Sequence, residues 1–271
     1  MSTIGTNVGA LNASFYLSIN NEALSNSIKK LAAGSRLANP SEDAAGIAVS
    51  GKLDAAIKRL NAAAEGAQNI VAFAQTTDGF LSTIQAQLTR MSELAQRATN
   101  GAFSSSDLAN YNTEYSKLYT QIGTILTNAT FNGSTIFQAT TTVSVAIDSQ
   151  GVTDTFVKVG ITQLTGLGLG TTTSISTTTL AGVAITNLNL ALQTLTSQRA
   201  SVNADVSKFN FHVNNIRTQS INVQDANSRI KDLNVANETT TLSKNNILLQ
   251  ASTAMLAQAN ASQQAILALL Q

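Results

Sequence analysis

The side chains best equipped for chemistry in this 271-residue chain are few. His212 is the only histidine and cysteine is absent. Imidazole or thiolate metal sites and Ser–His or Cys–His catalysis therefore find no partners at a recognisable spacing. His212 falls beside the apolar positions Phe209 and Val213, which suits packing better than ligation. Glu42 and Asp43 are adjacent carboxylates, but they follow Asn39-Pro40-Ser41 at the positive end of an expected helix, where negative charge has a use without acid–base work. Gly166, Gly168 and Gly170 open no helix and precede no phosphate-binding lysine, so they are not a nucleotide cradle. Tyr111, Tyr115 and Tyr119 recur every fourth residue, as core or interface residues do. The chain is expected to have no catalytic, metal or cofactor site and not to be an enzyme.

Composition excludes further classes. Sixteen basic residues against fifteen acidic ones give a net charge of +1, which leaves no electrostatic footprint for nucleic acid and no polybasic membrane patch. Hydrophobic residues make up 43%, yet aromatics are only 5% and tryptophan is absent. Such a small, aliphatic set suits close helix–helix packing. The first basic residue is Lys29, so no positive leader precedes an apolar stretch and a cleaved signal is not expected. The last 27 residues are uncharged, but Gln250, Ser252, Asn260, Gln263 and Gln264 interrupt them, so membrane insertion is not expected. The Thr/Ser tract at 171–179 reads as a solvated loop whose hydroxyls could carry O-glycans.

Long periodic runs must position these residues. Asn39-Pro40-Ser41-Glu42-Asp43 predicts a helix start, with Asn39 as cap and Pro40 in the first turn. A heptad seam follows through Leu53, Ile57, Leu60, Ala64, Ala67, Val71, Ala74, Asp78, Leu81, Gln85 and Leu88, fading near Thr99-Asn100-Gly101. A second helix after Ser106-Asp107 carries Leu108, Tyr111, Tyr115, Leu118, Ile122, Ile125 and Ala129 on one face and stops at Phe131-Asn132-Gly133. A third run, from Leu188 to Ile230 through Leu195, Arg199, Val202, Phe209, Val213 and Ile216, alternates fours and threes. A helix over 40–98 would extend about 90 Å, against a radius of gyration of about 18 Å for a compact chain of this length, so a rod is expected. Between these runs, residues 142–147 and 155–161 flank Asp148-Ser149-Gln150-Gly151 as a hairpin, and 166–179 reads as an exposed loop.

Each end carries apolar residues at helical spacing. Ile4, Val8, Leu11 and Phe15 form one stripe, which shifts register near Leu17 and continues as Leu24, Ile28 and Leu31. Leu242, Leu249, Leu256 and Leu270 recur by sevens or a multiple, with Ala251, Ala254, Ala261, Ala265 and Ala268 on an adjacent face. The fold class read from these patterns is mainly α: an elongated antiparallel helical bundle or coiled coil of the N- and C-terminal regions, with a small central β-hairpin region. Ile4, Val8, Leu11, Phe15, Leu24, Ile28, Leu31, Leu249, Leu256 and Leu270 are the candidate packing residues of a polymer.

Several ordered motifs resemble those of the bacterial flagellins, in a short form with little or no outer domain. They are Leu31-Ala32-Ala33-Gly34-Ser35-Arg36-Leu37, Glu42-Asp43-Ala44-Ala45-Gly46-Ile47-Ala48, Arg90-Met91-Ser92-Glu93-Leu94-Ala95 and Phe131-Asn132-Gly133 in the first half. Ser228-Arg229-Ile230-Lys231-Asp232 and Leu256-Ala257-Gln258-Ala259-Asn260 carry the resemblance in the second, and Asn203 stands where the family usually has glycine. The resemblance implies a secreted, extracellular structural subunit that polymerises into the flagellar filament used for swimming, with a hook–filament junction (hook-associated) protein as the alternative. It implies 1–39 and 236–271 as helices of a filament core layer, 40–137 and 184–235 as helices of a rod domain, and 138–183 as a short variable region. The implied partners are copies of the chain itself, the flagellar type III export apparatus, an export chaperone, the filament cap and hook-associated proteins. Arg90, Glu93, Leu94 and Glu114 match a face read by a host flagellin-sensing receptor in that family.

Overall fold

The computed structural model describes residues 6–137, 142–161, 164–170 and 174–268. Its helices are α1 (Val8–Ala33), α2 (Ala44–Ala98), α3 (Ser105–Asn128), α4 (Thr178–Lys231) and α5 (Val235–Ala268), with a short 3-10 helix at Leu164–Leu167. Strands β1 (Thr130–Phe131) and β2 (Ser134–Thr135) form one hairpin, and β3 (Thr142–Ala146) and β4 (Thr153–Val157) another. The mainly helical class with small antiparallel strand pairs is thus what the periodicity predicted. The chain divides into two compact units, Met1–Ala55 with Asn222–Gln271 and Ala56–Ile221.

In the second unit α2, α3 and α4 share one apolar core. Leu81, Ile84, Leu88, Met91 and Leu94 of α2 meet Tyr115 and Ile122 of α3 and Leu188, Leu195 and Phe209 of α4, and all of these are fully buried. Helices α2 and α4 run antiparallel, since Asp78 meets Arg199 while Asn61 accepts a hydrogen bond from Ser220. The four–three alternation of α4 holds along the helix, every seam position from Leu188 to Ile216 being buried or half-buried. Seam position Arg199 donates to both oxygens of Asp78 (2.8 and 3.1 Å) and to Gln85 Oε1 (2.6 Å). These are the polar members of the facing α2 seam, so three polar heptad positions satisfy one another. Asn203 adds a further donor to Asp78 at 3.2 Å.

The two hairpins cover this core. Asn132 and Gly133 both have positive φ (49° and 75°), the two-residue turn that joins β1 to β2. Phe131 and Phe156 each pack edge-on against Phe73 at 5.5 Å between ring centroids. The second strand of the larger hairpin begins and ends earlier than its residue pattern suggests, because Asp148 gathers the amides of Gln150 and Val152 and closes the turn at Val152. The Gly-Leu-Gly-Leu-Gly segment is not the exposed loop expected from composition. Leu167, Leu169 and Ile175 are buried, and Asn112 Oδ1 accepts from the Ile175 amide at 2.8 Å. Alternating glycines let two leucines turn into the core while the glycine backbone stays outside.

Helix starts also differ from the sequence reading. Asn39 is not the cap of α2; its side chain accepts from the amide and hydroxyl of Ser41. Asp43 caps α2 instead, accepting from Gly46 N at 2.7 Å, and is paired with Arg36 at 3.1 Å. Glu42 is paired with Lys30. Helix α3 opens on Ser104 and Asp107 as a reciprocal capping box, one turn ahead of the expected start.

Candidate assembly surface

The first unit is built on a different principle from the second. Helices α1 and α5 pair antiparallel, and their backbones approach each other more closely than those of the other described helices. Asn7 caps α1 by accepting from Ala10 N and also donates to the Ala259 carbonyl at 3.0 Å. At the other end Gly34 closes α1 with φ of 62°. There Ser35 bridges Asp232, and Arg36 donates its Nε to the Ile230 carbonyl at the end of α4. Below this joint Asn227 accepts from Ser50 and donates to Asp54.

What faces inward along α1 is Ala10, Ala13, Leu17, Asn20, Leu24, Ser27 and Leu31, and along α5 Leu242, Asn245, Leu249, Ser252, Leu256, Ala259 and Gln263; these positions are half-buried or buried. Asn20 Nδ2 donates to Ser252 Oγ at 2.7 Å, and Asn245 Nδ2 to Ser27 Oγ at 3.2 Å. In the register set by those bonds Leu17, Leu24 and Leu31 fall opposite Leu256, Leu249 and Leu242, so leucine and polar layers alternate. The most enclosed side chains of the pair are the serines, Ser27 at 4% and Ser252 at 9% exposure. Each hydrogen bond in such a layer contributes about 1 kcal/mol net.

The large apolar side chains point the other way. Val8, Leu11 and Phe15 are 58%, 61% and 62% exposed, and Ile19, Ile28, Ile247 and Met255 are open to solvent with them. The stripe Val8, Leu11, Phe15 therefore does not continue into Leu24 and Leu31 through a register shift. It lies on the opposite face of α1, while Leu24, Leu31, Leu249 and Leu256 belong to the chain's own helix seam. Periodicity picked out leucines of the seam, Leu242, Leu249 and Leu256 among them, and missed the Ala, Asn and Ser positions between them. Ile4 and Leu270 lie outside the described residues. Between the helices, on one flank, runs an apolar groove of about 580 Å³ lined by residues that include Gly9, Tyr16, Leu248, Ala251 and Met255.

Other candidate residues occupy simpler surroundings. Arg90 bonds Glu114 at 2.8 Å and Glu93 at 3.0 Å on the surface, and these bonds raise the Arg90 pKa and lower that of Glu114. Leu94 does not join them, because its side chain is fully buried in the α2–α3–α4 core. His212 Nε2 lies 2.8 Å from Asp154 Oδ2, tying β4 to α4 together with Lys208. Burial pushes the Tyr115 phenol pKa far upward, as expected of a core tyrosine. Among the described residues no group of three or more histidine and carboxylate side chains could hold a metal ion, and no helix is long and apolar enough to cross a membrane.

Comparison with known proteins agrees with this geometry. The family model for the bacterial flagellin N-terminal helical region matches residues 4–142, and that for the C-terminal helical region matches 185–270. A flagellar filament 30.7 kDa core protein of Treponema maltophilum is 34% identical over 98% of this chain and 99% of its own length. The crystal structure of Bacillus cereus flagellin aligns at a TM-score of 0.51 and 26% identity, covering 60% of this chain and 94% of that one. A Vibrio parahaemolyticus protein described as flagellar hook-associated aligns at 0.56 and 10% identity over 70% and 98%, a likeness of fold alone.

Proposed function

This chain belongs to the bacterial flagellin family and is a structural subunit of the flagellar filament, and on that premise we propose which parts of it do the assembling. Residues 1–39 and 236–271 form the filament's core layer, 40–137 and 184–235 the helices of a rod domain, and 138–183 its small variable region. The observation that carries this reading is the inverted α1–α5 pair, with polar layers inside and large apolar side chains outside. An exposed stripe of this kind marks an interaction surface. Covering the exposed half of each large side chain contributes about 1 kcal/mol. That is enough to hold a subunit among several neighbours and too little to hold two free monomers. Val8, Leu11, Phe15 and Ile28 supply subunit contacts; Leu24, Leu31, Leu249 and Leu256 brace the pair that presents them.

The filament so formed is extracellular and serves swimming. Passage through the flagellar export apparatus, with a chaperone on the C-terminal helix, suits ends whose polar layers give modest stability unassembled. The cap and hook-associated proteins are its partners at the filament's two ends. Arg90, Glu93 and Glu114 are the exposed residues of a host-receptor face, and Leu94 supports them from beneath. Purified protein seeded with filament fragments is expected to elongate in negative-stain micrographs. Variants lacking 1–35 or 237–271 are expected to keep their helical circular dichroism and fail to elongate. Normal filaments from either truncation would remove the assignment of the ends to assembly.

A further inference from the structure

Open polymers impose a condition on the outward faces of α1 and α5. A surface that meets its own copy across a two-fold axis closes into a dimer, whereas an open helix needs two different surfaces that meet head to tail. The first unit carries two such surfaces. One is a ridge: Val8, Leu11, Phe15 and Ile19 recur at three- and four-residue spacing on the side of α1 facing away from α5. The other is the groove on the flank of the pair, where Gly9, Ala13 and Ala251 leave space between Tyr16, Leu248 and Met255. They differ in shape as well as position. The ridge is convex and built of aliphatic and aromatic tips; the groove is concave because small residues line it. Neither carries a charged side chain, so no desolvation of ions opposes contact. A Cβ at Gly9 would meet the Ala259 Cβ at 3.8 Å, an ordinary van der Waals contact, so α1 and α5 are close but not tight at this point.

We propose that the α1 ridge of one copy seats in the α1–α5 groove of the next, with Phe15 against Met255 and Tyr16 as the central contact. This inference rests on the filament reading and adds to it which two surfaces meet. The absence of cysteine permits a direct test, because introduced thiols have no competitors. Phe15 and Met255 of one chain lie on helices whose axes are about 8–10 Å apart, with Phe15 on the far side. Their Cα atoms are then beyond the roughly 7 Å that a disulfide spans, so F15C/M255C has no intrachain bond to form.

Filaments of F15C/M255C, once oxidised and run on a denaturing gel without reductant, are expected to give a ladder of dimers, trimers and longer covalent chains. Filaments of F15C alone or M255C alone are expected to run as monomer. Dimers from F15C alone would show ridge against ridge and overturn the proposal. So would uncrosslinked double-variant filaments of normal appearance, which would leave the filament reading intact. If the double variant fails to elongate, F15L with a groove filled by A251W is the substitute. Loss of elongation in the filled-groove variant, with F15L unaffected, is expected; normal elongation of A251W overturns the proposal. Failure of the unaltered protein to elongate from seeds would instead count against the filament reading itself.

Discussion

Replacing Arg199 with methionine probes the polar node of the α2–α4 seam. The methionine retains most of the apolar stem and removes two hydrogen bonds to Asp78 and one to Gln85. Among the described residues, Asp78 then keeps only the Asn203 amide. Hydrogen bonds to charged groups contribute about 1.5–3 kcal/mol each when buried. The two side chains are 28% and 24% exposed, so water replaces part of the loss. A net cost of about 2 kcal/mol follows, and a unit of this size should lose about 4–8 °C in Tm. The cost depends on pH with a definite sign. The Arg199 hydrogen bond holds the Asp78 pKa below its ordinary value, against the opposing effect of burial. A depressed carboxylate contributes stability above its unfolded pKa and loses it as pH falls through the folded value. Thermal unfolding followed at 222 nm should therefore show R199M well below the unaltered chain near neutral pH. The gap should narrow at acid pH, below the ordinary carboxylate range, leaving the share of the Gln85 bond. D78L/R199M should recover part of the neutral-pH loss, since the stranded carboxylate is gone. An equal gap at both pH values, or no recovery in the double variant, would refute this account of the node.

Three further outcomes are expected. Leu94→Ala removes a fully buried side chain and should lower stability by about 2–5 kcal/mol in urea titration, as a core residue does and a surface residue does not. Gln87→Met should raise stability by about 1 kcal/mol in the same assay, because Gln87 Oε1 is buried without a hydrogen-bond partner among the described residues. Gly133→Ala should cost about 1 kcal/mol and speed amide exchange at β1 and β2, since φ of 75° in the Asn-Gly turn disfavours a Cβ.

Much of the second unit could be read in advance. The four–three spacing from Leu188 onward fixed the buried face of α4, and Asp78, Gln85 and Arg199 appeared in their seams before any contact between them was known. The Asn132-Gly133 turn needed only local chemistry. Near residue 40, by contrast, Asn39 and Asp43 both had capping side chains within five residues. Tertiary contacts chose between them: Arg36 pairs with Asp43 while also reaching the end of α4. Leu167 and Leu169 looked like loop residues because glycine dominates their surroundings, and burial followed from an available core rather than from a period.

The sequence by itself determined that long helices flank a short strand-forming middle. Spacing of aliphatic residues is a local property, and it survives in any fold that buries one face. Only the tertiary structure decided which face of α1 is inside. Hydrophobicity alone would have turned Val8, Leu11 and Phe15 inward over Ala10, Ala13 and Asn20. The decision fell to geometry: alanines and paired Asn–Ser layers let two backbones approach, and the bulkier stripe of Val8, Leu11 and Phe15 was turned outward.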